Sequence, residues 1–310
     1  MARCLVTRKL PGPALDRLRA EHEVEVWSER LPPSGDELRA GAADAQGLLC
    51  LLTDPVDARL IAACPNLRAI ASYAVGTDNV DLGAATERGI PVGNTPYVLT
   101  ETTADLALAL MLALMRRLHQ AADEVRAGEW LTWEPARLLG RDLHSSTVLV
   151  VGAGRIGSAV ARRVEGFGAT VLTAARGEPL DPLLARADVV TLHTPLSDAT
   201  RGLIGEAQLR AMKPTAYLVN TARGPVLDTG ALEAALREGS IAGAALDVTD
   251  PEPLPADHPL LGAPNLLVVP HIASATHATR EAMAEMAVAN LLAALSGERM
   301  PHCVNPEVYD

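Results

Sequence analysis

A chain of 310 residues, 48% of them hydrophobic and 21% charged, exceeds what one hydrophobic core usually supports, so two globular domains are expected. Its formal net charge of −11 excludes the broad basic surface that a nucleic-acid or acidic-membrane partner requires, and any anionic ligand must be held by local groups. Cys4, Cys50, Cys64 and Cys303 are scattered, with neither a C-x-x-C nor a Cys/His cluster, which argues against a disulfide framework and against a zinc site.

The first ten residues read as a strand and lack the long apolar core of a signal peptide, so the protein is expected in the cytoplasm. Short apolar runs then alternate with amphipathic segments, the pattern of parallel sheets covered by helices. Strands are predicted over residues 4–7, 24–27, 47–52 and 67–72, with helical spacing over 14–21 and 56–63 between them. This small α/β unit ends near Gly93. A second unit opens after Asn94-Thr95-Pro96 with a long helix from about Glu101, rich in Ala, Leu and Met. The longest apolar run, 106–115, is far short of the roughly 20 residues of a membrane span and reads as a buried helix. Further strands are predicted over 147–151, 170–173, 189–193, 216–220, 244–248 and 266–269. A last helix over about 278–296 is expected to pack back on the first unit, making that domain discontinuous.

The strand at 147–151 runs into Gly152-Ala153-Gly154-Arg155-Ile156-Gly157 and then a helix. Glycines at this spacing permit a tight turn, the approach of a pyrophosphate to the backbone and close packing of helix on strand, so residues 152–157 are assigned to a dinucleotide. The end of the next strand selects the cofactor, because an acidic residue there would accept hydrogen bonds from the adenosine ribose of NAD. Here it reads Thr173-Ala174-Ala175-Arg176, with no carboxylate in place and a guanidinium suited to a 2′-phosphate. Ala175 and Arg176 therefore favour NADP, with NAD as a possible second cofactor. Later strand ends deliver His193-Thr194-Pro195, Asn220-Thr221-Ala222-Arg223-Gly224, Asp247 followed by Asp250-Pro251-Glu252-Pro253, and Pro270-His271. In an open parallel sheet these ends face one crevice. Pro195 and Thr221 are placed with the cofactor. Arg223 is the candidate clamp for a carboxylate and its neighbouring keto oxygen, His271 the candidate proton donor, and Glu252 its carboxylate partner. In the first unit Val75-Gly76 follows the fourth strand, where a glycine lets backbone N–H groups approach a small anion; an ordinary strand-to-helix loop reads equally well there.

Together these segments resemble the D-2-hydroxyacid dehydrogenase family over nearly the whole chain, through 75–81, 101–117, 152–157, 193–196, 220–228, 247–253 and 270–274. Within that family the likeness is to the glyoxylate/hydroxypyruvate reductase branch, through Trp130-Leu131-Thr132-Trp133-Glu134-Pro135, the run from Asp247 to Pro255 and His271-Ile272-Ala273-Ser274-Ala275-Thr276-His277. The resemblance implies an α/β fold of two Rossmann-like or flavodoxin-like parallel-sheet domains. The dinucleotide-binding domain (94–277) would be inserted into the substrate, or catalytic, domain (1–93 plus 278–310). It also implies Arg223, Glu252 and His271 as catalytic residues, the Val75 and Gly76 backbone on the substrate carboxylate, Ser274 close by, and Asp247 near the nicotinamide amide. Trp133 would be lent to the substrate site of a neighbouring subunit, hence a homodimer. Two departures stand out. The chain is short between Arg176 and Asp188, where the family often has an extra strand, which would leave the adenine pocket more open. Ala273 replaces a glycine common after the catalytic His-Ile pair.

Other readings are a reductase of another 2-keto acid, a formate- or phosphite-oxidising relative, and a dinucleotide-sensing binding protein of the same fold. Glu252 is a carboxylate where formate enzymes of this superfamily use an amide. Val75-Gly76 stands where the phosphite type has a lysine. The chain ends soon after its last helix, leaving no tail for the partner motifs of a sensor.

Overall fold

The computed structural model describes residues 1–310 as two compact units, Met1–Leu99 with Ala275–Asp310, and Thr100–Ser274, the second inserted in the chain of the first. In the first, β1 (Arg3–Val6), α1 (Ala14–Glu21), β2 (Glu23–Val26), α2 (Gly35–Ala42), β3 (Gly47–Cys50), α3 (Ala58–Ala63), β4 (Ala69–Ser72), α4 (Leu82–Glu87) and β5 (Val92–Gly93) alternate. The strands form a parallel sheet in the order β2-β1-β3-β4-β5, the flavodoxin-like arrangement. β3 and β4 are buried at every position because helices cover both faces, which is why they read as unbroken apolar runs. β2, at the edge, alternates exposed and half-buried residues.

The second unit comprises α5 (Thr100–Met115), α6 (Leu118–Arg126), β6 (Thr147–Val151), α7 (Arg155–Gly166), β7 (Thr170–Ala174), α8 (Asp181–Leu184), β8 (Val189–Leu192), α9 (Glu206–Ala211), β9 (Tyr217–Asn220), α10 (Thr229–Glu238), β10 (Gly243–Leu246) and β11 (Leu266–Val268). The chain then returns to the first unit as α11 (His277–Leu295), whose Met283, Ala287, Val288 and Leu291 join the core formed by Cys4, Val6, Leu49 and Ala71. The second sheet is parallel throughout, in the order β11-β10-β9-β8-β6-β7, so its strand order reverses beside β6. No strand lies outside β7. In its place the short connection from Ala175 to Asp188 forms the single turn of α8, in keeping with the missing length noted in the sequence.

Register across this sheet is uniform. Ala174 pairs with Val151, Val151 with Leu192, Leu192 with Asn220, Asn220 with Leu246 and Leu246 with Val268. The six strands thus end on one row, and everything after that row projects from one edge.

One expectation is corrected. The expected boundaries after residues 93 and 277 shift, because residues 94–99 are tied to the first unit: Asn94 N–H donates to the His302 carbonyl (3.1 Å), Thr95 N–H to that of Ala74 (2.8 Å), and Val98 and Leu99 pack on the first core. Thr276, as the N-cap of α11 accepting from Thr279 N–H, goes with that helix. The apolar run of α5 is packed inside its own unit as a buried helix, where Ala104, Ala107, Met111 and Leu114 pack with Val160, Val164, Val219 and Ala245. Exposed apolar surface lies further on, at Leu118, Trp130, Leu131, Trp133 and Leu139.

Candidate active site

The turn from β6 into α7 is as tight as its glycines suggest. Gly152 has φ +96°, and a Cβ there would meet the His193 carbonyl at 2.9 Å; one on Gly157 would lie 2.0 Å from the Gly152 carbonyl oxygen. Gly154, the N-cap of α7, faces open space where a Cβ would project, so a ligand can approach its backbone. Arg155 and Ile156 begin α7, whose opening N–H groups favour an anion. The strand order reverses beside this turn, where an α/β sheet opens to ligands, and the Thr194 hydroxyl is buried there without a partner. These features fit the pyrophosphate of a dinucleotide.

After β7 the expectation that no carboxylate stands at the selector position needs correction. Ala175 and Arg176 are exposed as expected, but Gly177, with φ +81°, turns the chain so that Glu178 reaches back, its Oε2 accepting from Ala175 N–H at 2.9 Å. The strand end therefore carries an exposed cation, Arg176, and a carboxylate, that of Glu178, held on the Ala175 N–H. Sequence spacing concealed this, since the acid lies three residues beyond the place where one is sought.

Arg223 follows β9. Buried Asn220 closes that strand, donating from Nδ2 to the Arg223 carbonyl (2.9 Å) and accepting at Oδ1 from Ala222 N–H (3.0 Å), which fixes the loop carrying the guanidinium. Arg223 Nη1 donates to the Ala222 carbonyl at 2.9 Å. A Cβ on Gly224 would sit 1.9 Å from the Thr249 carbonyl oxygen, so glycine there lets the Arg223 loop lie directly on the loop that carries Glu252. Thr229 Oγ1 joins the two again by donating to the Asp250 carbonyl (2.9 Å). His271, 19 residues beyond Glu252, follows β11, and its Nδ1 lies 2.6 Å from Glu252 Oε1. Its φ of +52° is a left-handed conformation that a residue with a Cβ seldom adopts.

Asp247 holds that conformation. Its carbonyl accepts from His271 N–H (2.8 Å), and its carboxylate accepts from Ile272 N–H (2.6 Å) and Ala273 N–H (3.0 Å). Burial pushes its carboxyl above the usual range despite these bonds. The resemblance places Asp247 near the nicotinamide amide; here its carboxylate is engaged in supporting the loop that carries His271. Ser274, half-buried, ends the same loop. His193, just past β8, sits between two hydroxyls, with Nε2 2.9 Å from Thr191 Oγ1 and Nδ1 3.5 Å from Thr221 Oγ1. Although the residue as a whole is half-buried, enclosure of the imidazole pushes its pKa down to about 4. Pro195 is exposed two residues later, its carbonyl accepting from Thr200 Oγ1 at 2.6 Å. Sequence reasoning gave no role to Asn220, His193 or Glu178; a polar residue closing an apolar strand was the available signal for the first two. In the first unit Val75 and Gly76 are half-buried in the loop after β4. Trp133 is 80% exposed, on a segment tied to α6 by Arg137, whose Nε lies 2.8 Å from Glu124 Oε2.

A glycine turn at the reversal point of a parallel sheet, with a carboxylate–imidazole pair and a guanidinium on later strand ends, defines a nicotinamide-dependent oxidoreductase of the α/β type. Comparison with known proteins makes the class specific. The family model of the D-isomer specific 2-hydroxyacid dehydrogenase NAD binding domain matches residues 108–273. A glyoxylate reductase of Korarchaeum cryptofilum is 48% identical over 99% of this chain and 96% of its own length. Among solved structures, a Thermus thermophilus protein is 50% identical with a TM-score of 0.92, covering 97% of this chain and 99% of that one. An NADPH-dependent glyoxylate/hydroxypyruvate reductase of Sinorhizobium meliloti, in complex with NADP and malonate, is 34% identical with a TM-score of 0.86, covering 99% and 97%. The chain belongs to the D-isomer specific 2-hydroxyacid dehydrogenase family, whose cofactor is a nicotinamide dinucleotide. No helix is long and apolar enough to cross a membrane.

His193 yields a pH test. It stays neutral in the folded chain down to about pH 4 but takes up a proton near its ordinary value of 6.5 when unfolded. The unfolded state therefore binds more protons in between, and the stability this group confers, fully present above about 6.5, is lost as pH falls toward 4. His193→Gln should flatten the decline of melting temperature over that window; an unchanged slope would show that the ring is protonated in the folded protein.

Proposed function

We propose that the protein reduces small 2-keto acids, glyoxylate and hydroxypyruvate, to glycolate and D-glycerate with NADPH as the preferred cofactor. The observation that carries this reading is the 2.6 Å contact between His271 Nδ1 and Glu252 Oε1, on a loop packed directly against that of Arg223. The activities of the Korarchaeum and Sinorhizobium relatives support it. When bound, the dinucleotide supplies the hydride that goes to the carbonyl carbon. Arg223 binds the carboxylate and keto oxygen of the substrate through its planar fork and polarises the carbonyl. His271 gives its Nε2 proton to the keto oxygen while Nδ1 stays on Glu252, which orients the ring and stabilises its cation. The Val75 and Gly76 N–H groups take the substrate carboxylate, Ser274 contributes beside His271, and Asp247 keeps the His271 loop in its left-handed shape.

A panel of NADPH and NADH against glyoxylate, hydroxypyruvate, pyruvate and phenylpyruvate tests the proposal. Absence of turnover with every keto acid would favour the sensor reading. His271→Ala should lower the rate of reduction about 10²- to 10⁴-fold, the contribution of a positioned proton donor. Glu252→Gln, which keeps the shape and loses the charge, should lower kcat with little change in NADPH affinity. Near-normal turnover in both variants would remove the pair from the mechanism.

Cofactor choice rests on Arg176 and Glu178. The guanidinium attracts a 2′-phosphate, whereas the carboxylate accepts ribose hydroxyls and repels that phosphate, so the preference for NADPH is graded and NADH also serves. Arg176→Ala is expected to reduce kcat/KM for NADPH much more than for NADH, and Glu178→Gln to raise the NADPH/NADH ratio. Equal effects on both cofactors in both variants would place selection elsewhere.

The same reading includes a homodimer formed through residues 101–139. Trp130, Leu131 and Trp133 are 67%, 88% and 80% exposed, an apolar cluster that a second copy would cover. Light scattering at micromolar concentration should give twice the chain mass; the mass of a single chain would overturn this assignment.

A further inference from the structure

We infer that Asn94 is a positioning residue for the substrate carboxylate, acting through the Val75–Gly76 peptide; the inference rests on the proposed role of that peptide. The loop between β4 and α4 is pinned at both ends. Tyr73 N–H donates to the Cys50 carbonyl (2.8 Å) and the Tyr73 hydroxyl to that of Arg280 (2.6 Å), while Asn79 Nδ2 donates to the Leu51 and Asp54 carbonyls (both 2.9 Å). In the middle, Asn94 Nδ2 donates to the Val75 carbonyl at 2.8 Å.

A trans peptide is planar, with its C=O and N–H pointing in opposite directions. Holding the Val75 oxygen on Asn94 therefore aims the Gly76 N–H away from Asn94, and the chain offers no acceptor of its own to the N–H of Val75 or Gly76. Two half-buried donors are left oriented and unused, as an anion requires.

Asn94 is itself fixed from behind. Its N–H donates to the His302 carbonyl (3.1 Å), and its carbonyl accepts from Asn290 Nδ2 (2.9 Å), while Asn290 Oδ1 accepts from His302 N–H (3.0 Å). Asn290 is fully buried on α11, and Gly93 permits it, since a Cβ there would lie 2.7 Å from Asn290 Nδ2. A relay of neutral amides thus runs from α11 through Asn94 to the peptide, fixing its direction before substrate arrives.

The test uses the full-length protein. Asn94→Ala removes the donor, and Asn94→Leu removes it while keeping the same number of side-chain heavy atoms, branched at Cγ. Both should raise KM for glyoxylate about five- to tenfold with kcat within about twofold, as expected when a contact equal in ground and transition states is lost. NADPH affinity and melting temperature should be unchanged. Wild-type KM in Asn94→Leu would show that the side chain acts by shape alone and overturn the inference. So would equal losses in kcat, NADPH affinity and melting temperature, which would mark a general structural role. Should Asn94→Leu fail to fold, Asn94→Val, which also has no donor, takes its place, with the same outcomes.

Oxalate, a carboxylate probe that cannot be reduced, separates this inference from the reading beneath it. In wild-type protein with 15N-labelled glycine, oxalate should shift the Gly76 amide resonance. If it does, and oxalate binds Asn94→Ala as tightly as wild type, the positioning role alone falls. An unmoved Gly76 resonance at saturating oxalate would remove the carboxylate assignment and the positioning role together.

Discussion

Everything this protein can do depends on where its parallel strands stop. In the second sheet a single registered row, Ala174, Val151, Leu192, Asn220, Leu246 and Val268, closes all six strands. The ladder continues one residue beyond it, with His193 N–H on the Val151 carbonyl, Asp247 N–H on Asn220 and Val269 N–H on Leu246. Neighbouring strands lie about 4.8 Å apart, so loops starting from one row deliver side chains within reach of each other without any long excursion. A slip of one residue in β9 against β8 or β10 would turn Asn220 to the other face and take the Arg223 loop with it. Burial on both faces of the inner strands is what makes such a slip costly, since each position has an apolar neighbour to lose.

The loops are then held by buried polar groups, and most of these are neutral. Asn220 brackets the Arg223 loop, and Asn290 and Asn94 brace the loop at Val75. An amide brings a donor and an acceptor together and can be buried at far smaller desolvation cost than a carboxylate. Asp247 is the exception, and its task explains it. It must accept from two successive N–H groups, Ile272 and Ala273, while its own carbonyl takes that of His271, and a carboxylate supplies acceptors alone. The raised pKa of Asp247 is the mark of that burial.

How much of this the sequence disclosed follows from the range of the interactions. Strands such as β6 and helices such as α1 are local, written in apolar runs and period, and residues 147–151 and 14–21 were expected where they occur. β5, two residues long, leaves no such pattern. The glycine turn was legible because its glycine spacing is local and Gly157 is crowded by the nearby Gly152 carbonyl, whereas the crowding of Gly152 by His193 appears only once β8 is in place. Arg223, Glu252 and His271 were legible as odd residues on successive strand ends, and the resemblance supplied their roles. The return of Glu178 to Ala175 was not, since it depends on the positive φ of Gly177 turning a side chain backwards. Nor was the pairing of Asn94 with Asn290, 196 residues away, where neither partner lies in a recognisable motif.

The division between neutral braces and charged actors has a mechanistic consequence. In the proposed reaction His271 would move a proton, and the carboxylate of Glu252 stands 2.6 Å from its Nδ1 to respond to that charge. A brace that also carried charge beside it would couple every step of protonation to the geometry of the loop. Asparagines hold the Arg223 and Val75 loops without such coupling, and Asp247, although ionisable, is 1% exposed and accepts one backbone N–H at each carboxylate oxygen. Geometry is thereby set chiefly by neutral amides, and the contact between imidazole and carboxylate stands apart from them. The left-handed conformation at His271 is in turn held by its N–H bond to the Asp247 carbonyl and by the Asp247 carboxylate on the next two N–H groups, none of which engages the imidazole.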